Sequence, residues 1–320
     1  MELLGIKFAP LFVPMERRLQ TLAAAAWFIL FVFGGFVGWI LVYHVLFTRF
    51  YPLAILYLLW MSEFIFWVSP MSEWVRNWSC WHYMREYFPI GLEKLEDLPA
   101  DKNYLFCGYP HGMLCSGAFG NFVAASPEFK RLFPGLTTYL LTLNVHFNMP
   151  IFRELLLCLG ECQKLRRRAD GRRGLRVPLL PPGSYKIILK RRKGFIRVAL
   201  ETGAPLVPVF SFGETDVFDQ VSNPPGSWLL WLQSTLKKVL GVAPCIPLGR
   251  GIFQYSFGIA PRRTPITTVV GRPIMLPQEP NPSNELVDKY HKIFMEELME
   301  LFEAHKGKYL EDPKTKLIIE

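Results

Sequence analysis

The sequence predicts an α/β fold carried on an N-terminal membrane-anchoring segment. Three observations predict it. Leu19 to Thr48 is a run of thirty residues without a charged side chain, longer than the roughly twenty apolar residues that span a bilayer core. From about Ser72 onward, strand-like and helix-like runs alternate, the pattern of an α/β layer fold. The last long run, Leu286 to Phe302, is an apolar stripe at helical spacing, suited to packing on such a layer. With 51% hydrophobic and 15% aromatic residues in 320, the chain is not disordered. Its six cysteines are scattered, with no C-x-x-C and no Cys/His cluster at zinc spacing, which excludes a disulfide framework and a zinc module.

The elements follow in order. Trp27 to Phe33, Gly34, Gly35 and Phe36 to Phe47 supply one crossing. A second apolar stretch, Tyr51 and Leu53 to Trp60, continues through Phe64 to Val68 after Glu63. It reads either as an interfacial segment after one tilted helix or as the second arm of a hairpin turning near Arg49 and Pro52. The run is too long for a signal-peptide core. Arg17 and Arg18 before it, and the basic run after it, place both sides in the cytosol if the segment is a hairpin. The anchor is thus residues 1–70 and the body 71–320. In the body, Tyr104 to Gly108 reads as a buried strand before a Pro-His-Gly turn. Gly112 to Ala125 reads as a helix and Thr137 to Phe147 as β-rich. Tyr185 to Leu189 is strand-like, Lys193 to Glu201 helical, Leu206 to Phe212 a strand interrupted by Pro208, and Thr264 to Val270 a β-branched strand. Asn281 and Pro282 suit the N-cap and N1 positions of the last helix. Asn77-Trp78-Ser79 matches a glycosylation sequon, which in this topology faces the cytosol unused.

The net charge of +9 is concentrated. Lys164 to Arg197 holds thirteen Lys or Arg and one acid, Asp170, a local +12 against the whole-chain +9 that leaves −3 elsewhere. Arg166 to Arg176 lies among Ala, Gly and Leu with no apolar period. A solvated loop, an anionic membrane or a phosphate-bearing ligand all suit it. Nucleic acid does not, because no stacking aromatics are interleaved.

The chemistry centres on Gly108-Tyr109-Pro110-His111-Gly112. A histidine on a rigid turn between strand and helix titrates near neutral pH and can accept a proton. Gly112, Ser116, Gly117, Ala118 and Gly120 let backbone or ligand approach closely, and helix N-terminal amides here suit an oxyanion. His44, His82, His146, His291 and His305 sit in apolar or helical settings that predict packing. Glu214 or Asp216, in Phe212-Gly213-Glu214-Thr215-Asp216 after a strand, can orient a histidine. Gly249-Arg250-Gly251 reads as a turn or an anion contact. There is no G-x-S-x-G elbow, P-loop or G-x-G-x-x-G.

Taken together, the ordered motifs are more specific than their parts. Phe8-Ala9-Pro10-Leu11, Glu16-Arg17-Arg18, Tyr87-Phe88-Pro89, Tyr109-Pro110-His111-Gly112, Leu132-Phe133-Pro134-Gly135, Phe152-Arg153-Glu154, Arg192-Lys193-Gly194-Phe195, Ser211-Phe212-Gly213-Glu214, Gly249-Arg250-Gly251 and Thr267 to Pro273 lie along one chain. In these the sequence resembles the diacylglycerol acyltransferase-2 and monoacylglycerol acyltransferase family, with the Gly249 to Gly258 run closest to the monoacylglycerol branch. The resemblance implies an acyltransferase-like layered fold with a transmembrane or re-entrant hairpin, in the endoplasmic reticulum membrane. It implies transfer of a fatty acyl group from acyl-CoA, as co-substrate, to a hydroxyl of monoacylglycerol or diacylglycerol in triacylglycerol biosynthesis, with no cofactor and no metal. His111 is implied as the general base. Tyr109, Pro110, Gly112, Phe152, Arg153, Glu154, Gly213 and Glu214 are implied as the surrounding site. Lys190, Arg191, Arg192 and Lys193 are candidates for the CoA phosphates, as are Arg262 and Arg263. The implied partners are the lipid bilayer, acyl-CoA and the acylglycerol, with no nucleic acid; a homo-oligomer stays open.

Two departures accompany the resemblance. Tyr109 stands where the family has the first histidine of His-Pro-His-Gly; a tyrosine keeps a hydrogen-bonding group there. The segment from about 162 to 182 is short and lacks the family's Gly-Gly-Ala-x-Glu. Two alternative readings follow: a membrane-bound member without a complete site, and a wax or retinyl ester synthase that differs only in the alcohol.

Overall fold

A computed structural model describes residues 2–3, 5–10, 12–63, 71–163, 185–220, 227–228, 231, 235 and 247–320. Its centre is a four-stranded mixed sheet in the spatial order Ile90–Lys94, Ile266–Val270, Leu206–Phe212, Leu105–Tyr109. The two outer pairings are parallel and the central one is antiparallel. Leu206–Phe212 is buried at all seven positions, which explains its unbroken apolar composition. Pro208 lies just past the last antiparallel pair, Val209 with Val270, and stays opposite Cys107 in the parallel ladder, where its carbonyl still accepts from the Gly271 N–H at 2.8 Å.

The period-two alternation of the strands separates two cores. Phe210, Phe212 and Val269 face the Gly194–Thr202 helix and the C-terminal helix Asn284–Tyr309, where Phe294, Leu298, Leu301 and Phe302 form the predicted stripe. Val207, Val209 and Val270 face Phe129 and Phe133. The alternating reading holds for the strands near 105, 185, 206 and 266 and for the helices near 194 and 284.

The apolar run is one helix, Met15–Leu46, the one helix among the described residues long and apolar enough to cross a membrane. Its first half enters the body. Trp27 stacks on Phe119 at 4.0 Å and meets Trp81 edge-on at 5.7 Å, and Phe28 lies 5.2 Å from Phe218. Further along, Gly35 and Gly38 abut Met149 and the Pro150 carbonyl so closely that a Cβ would sit 2.1 and 2.0 Å from them. Ile29, Phe33, Phe36, Val37, Ile40 and Leu41 stay exposed on the opposite side. A second helix, Tyr51–Glu63, packs against the first. Its thirteen residues make about 20 Å, short of a bilayer core of about 30 Å. Phe64 to Val68 lies outside the described residues.

Several expectations change. The last helix is capped by Ser283, whose Oγ accepts from the Leu286 N–H at 3.1 Å. Asn281 and Pro282 therefore precede the cap rather than forming it. Gly112 to Ala125 is not one helix. A turn with left-handed Gly112 and Cys115 comes first, then Ser116–Ala118 and a wider turn of helix, Phe119–Val123. Thr137 to Phe147 yields only Leu140–Thr142 as strand, followed by a 3-10 turn, Asn144–Asn148. Ile90–Lys94 and Leu317–Ile319, the latter paired with Tyr185–Ile187, were not anticipated. Both are short and carry lysine or glutamate beside their apolar residues, which masks the alternation.

Candidate active site

His111 stands two residues past the Leu105–Tyr109 strand, after a cis Tyr109–Pro110 peptide bond. Its Nδ1 lies 2.7 Å from the Gly112 carbonyl oxygen. A carbonyl only accepts, so Nδ1 carries the hydrogen and Nε2 keeps its lone pair. Burial holds the imidazole below its ordinary titration range; the Gly112 carbonyl opposes this, and the charge of Arg192 adds to it. Burial thus favours the neutral ring, with its lone pair on Nε2.

Glu214 fixes the turn that carries it. This carboxylate is 2% exposed. The Ser116 N–H donates to its Oε1 at 2.8 Å and the Gly117 N–H to its Oε2 at 2.7 Å. Sequence alone suggests that Glu214 or Asp216 orients the imidazole and that these amides serve an oxyanion. In the fold the carboxylate occupies both amides, so its hold on His111 passes through the backbone. Three glycines make the approach possible. A Cβ on Gly112 would lie 2.8 Å from Glu214, one on Gly117 3.1 Å from its Oε2, and one on Gly213 2.0 Å from the Pro265 carbonyl. Gly112 and Gly213 also take φ of +53° and +82°. Burial raises the Glu214 pKa to about 7, against the pull of the two amides.

Tyr109 is part of the aromatic packing, 6.2 Å from Phe294, and burial raises its pKa. Arg192 acts electrostatically on both Tyr109 and His111, so of the four basic candidates it is the one placed at the turn. It is held by a tight loop in which Arg192 N–H donates to Leu189 O at 2.8 Å, while Leu189 N–H and Lys190 N–H donate to Glu320 O. Lys193 is paired with Asp288 at 2.5 Å. Arg262 pairs with Asp219, and Arg263 lies over Tyr87.

Phe152, Arg153 and Glu154 take another place. Arg153 is 2% exposed, donates to the Met61 carbonyl at 3.0 Å and lies 5.0 Å from the Trp60 ring. Glu154 accepts from the Tyr57 hydroxyl at 2.7 Å, and Phe152 meets Phe31 edge-on. The motif thus fastens its helix, Phe152–Cys158, to the two apolar helices. Leu155 and Cys158 of the same helix join the core that contains Met113 and Leu114. This helix therefore shares one core with the long helix and with the residues just past His111.

One residue escaped the sequence reading. Glu161 is buried, its pKa raised by burial to about 8, and it acts with Glu214 on the Cys115 thiol. The signal was a lone acid after the apolar run 155–160. Cys80, Cys107, Cys115 and Cys158 are free thiols, and no cluster of His, Cys, Asp or Glu among the described residues has a metal-site arrangement. Residues 164–184, with Arg166 to Arg176 and the place of the absent Gly-Gly-Ala-x-Glu, lie outside the described residues.

The sequence model of the family described as diacylglycerol acyltransferase matches residues 43–170 and 180–320. The chain belongs to the diacylglycerol acyltransferase family. Bovine (Bos taurus) 2-acylglycerol O-acyltransferase 1 is 44% identical over 95% of the chain and 96% of the relative. The human (Homo sapiens) 2-acylglycerol O-acyltransferase 1 is 39% identical over 95% and 96%. Human diacylglycerol O-acyltransferase 2 is 38% identical over 92% of the chain and 81% of the relative. Among solved structures, the 1-acyl-sn-glycerophosphate acyltransferase PlsC of Thermotoga maritima aligns over 89% of this chain and 97% of its own, with 13% identity and a TM-score of 0.38, too loose a likeness to assign residues.

Proposed function

We propose that this member of the diacylglycerol acyltransferase family transfers a fatty acyl group from acyl-CoA to a hydroxyl of monoacylglycerol or diacylglycerol. The observation that carries the reading is His111, held as a neutral base on its glycine-lined turn within a chain whose residues 43–170 and 180–320 match the family. Nε2 takes the proton of the acceptor hydroxyl as its oxygen attacks the thioester carbonyl. The carbon–sulfur bond then breaks, and the CoA thiolate leaves with the proton returned from the imidazolium. Arg192 offers positive charge beside this reaction, suited to the carbonyl oxygen or a CoA phosphate. Both substrates partition into lipid. The apolar helix, whose Trp27 and Phe28 share a core with Leu114 just past His111, supports membrane association with the site near the interface. We place the protein in the endoplasmic reticulum membrane with the body in the cytosol.

The test is acceptor competition. Membranes containing the full chain receive labelled acyl-CoA with equimolar monoacylglycerol, diacylglycerol, a long-chain alcohol and retinol. The reading expects label in acylglycerols first. Label chiefly in wax or retinyl ester would replace it with an ester synthase. No product above an empty-membrane control would favour the second reading, a member whose site is incomplete at the segment where the family match breaks off, 171–179.

A further inference from the structure

The loop 249–260 is an ordered hairpin with an apolar outer surface. Gly249 N–H donates to Gly258 O, and Arg250 and Ala260 exchange backbone hydrogen bonds, at 2.7 to 3.0 Å. At the tip, the Gln254 side-chain oxygen accepts from the N–H groups of Ser256 and Phe257 at 2.8 and 3.1 Å. The tip also holds the start of the chain. Ala9 N–H donates to Phe253 O, Tyr255 N–H to Lys7 O, and Lys7 N–H to Ser256 Oγ. Backbone and side-chain polar groups are thus spent internally, while Phe8, Phe12, Ile252, Phe253, Phe257 and Ile259 stay exposed, Phe12 by 92% and Phe253 by 83%. A rigid loop that displays this much apolar surface is an interaction site, not a folding remnant.

What covers it follows from its neighbours. Phe12 lies three residues before Met15, the exposed first residue of the long helix. From Met15 the exposed apolar positions continue at heptad spacing through Leu22, Ile29, Phe36 and Tyr43. The patch and the lipid-facing stripe are therefore continuous. The 32-residue helix is about 48 Å long against a bilayer core of about 30 Å, so it tilts or lies partly in the interface. Behind the apolar tip stand cations. Arg250 lies 5.3 Å from the Tyr87 ring and 4.8 Å from that of Tyr255, and Arg263 also lies over Tyr87. Arg17 adds like charge on Arg263, which Glu86 partly offsets. Apolar side chains in front of clustered arginines suit acyl chains below anionic headgroups.

We infer that the 249–260 hairpin, with residues 6–10 and Phe12 beside it, forms a second membrane contact, inserting Phe12, Phe253 and Phe257 into the anionic leaflet beside the start of the long helix.

The full chain is placed in nanodiscs of phosphatidylcholine with or without phosphatidylserine. A photoreactive benzoylphenylalanine replaces Phe253 or Phe257, with Leu56 as the lipid-facing reference and exposed Leu95 as the solvent reference. The inference expects lipid adducts at 253 and 257 comparable to those at Leu56, more of them with phosphatidylserine, and none at Leu95. Adducts to a second copy of the chain, or no lipid adduct where Leu56 gives one, would overturn it. Hydroxyl-radical footprinting of the unsubstituted chain covers the case in which a probe disturbs folding. Phe253 protected like Leu56 supports the contact, and Phe253 oxidised like Leu95 refutes it. Neither readout uses turnover, so the result stands whether or not the acyltransferase reading does.

Discussion

At the residue scale, the site depends on two side chains with different jobs. In the proposed mechanism His111 accepts the proton; Glu214 holds the backbone beneath it. Glu214→Gln keeps the shape but loses one acceptor, so one of the two amides of Ser116 and Gly117 is left poorly satisfied. We expect kcat to fall more than about tenfold with KM little changed, and kinetics at saturating acyl-CoA check it. Glu214 also has a stability signature. Its folded pKa, about 7, lies above its ordinary value of 4.5, so the folded state binds more protons between these values and stability falls as pH rises through that window. The unfolding midpoint of the unsubstituted chain should drop relative to Glu214→Gln from pH 4.5 to 7, then run parallel. Arg192 acts on His111 through its charge. Its charge lowers the imidazole pKa, so Arg192→Gln should move the acid limb of the pH–rate profile to higher pH. An unmoved limb would separate Arg192 from the base. His111 was legible in the sequence because Pro and Gly flank it. The true use of Glu214 was not, because a carboxylate bonded to amides 97 and 98 residues away has no local pattern.

At the element scale, glycines decide which surfaces meet. Gly213→Ala must place a Cβ 2.0 Å from the Pro265 carbonyl at a left-handed φ, whereas a Cβ at Gly108 meets nothing within 4 Å. Thermal denaturation should show Gly213→Ala destabilised by about 2 kcal/mol or more, and Gly108→Ala by well under half of that. The same contrast applies to the helices. Gly38→Ala drives the long helix off the Pro150 carbonyl, while Gly307→Ala, in an open stretch of the C-terminal helix, should gain up to about 1 kcal/mol from helix propensity. The helices at 194 and 284 and the strands at 105 and 206 were readable because their apolar periods are unbroken. The strand Ile90–Lys94 and the split turn after Gly112 were not: lysine and glutamate interrupt one, and left-handed Cys115 the other.

At the scale of the whole molecule, the apolar helix is not an appended anchor. Trp27 and Phe28 belong to the same core as Leu114 and Ile266, and the Phe152–Cys158 helix joins that core to the second apolar helix through Arg153 and Glu154. The other end is closed by the C-terminus, whose last strand pairs with Tyr185–Ile187 and whose Glu320 carbonyl holds the loop that carries Arg192. Removing residues 317–320 should therefore lower both the melting temperature and kcat, and restoring only the charge, by added salt or polyamine, should not recover turnover. The central claim rests on one atom, Nε2 of His111. Turnover of labelled acyl-CoA with monoacylglycerol should be compared in matched membranes carrying the unsubstituted chain and His111→Ala at equal protein levels. The account predicts acylglycerol product from the first and a loss of at least about a hundredfold in the second; equal product from both, above an empty-membrane control, would contradict it.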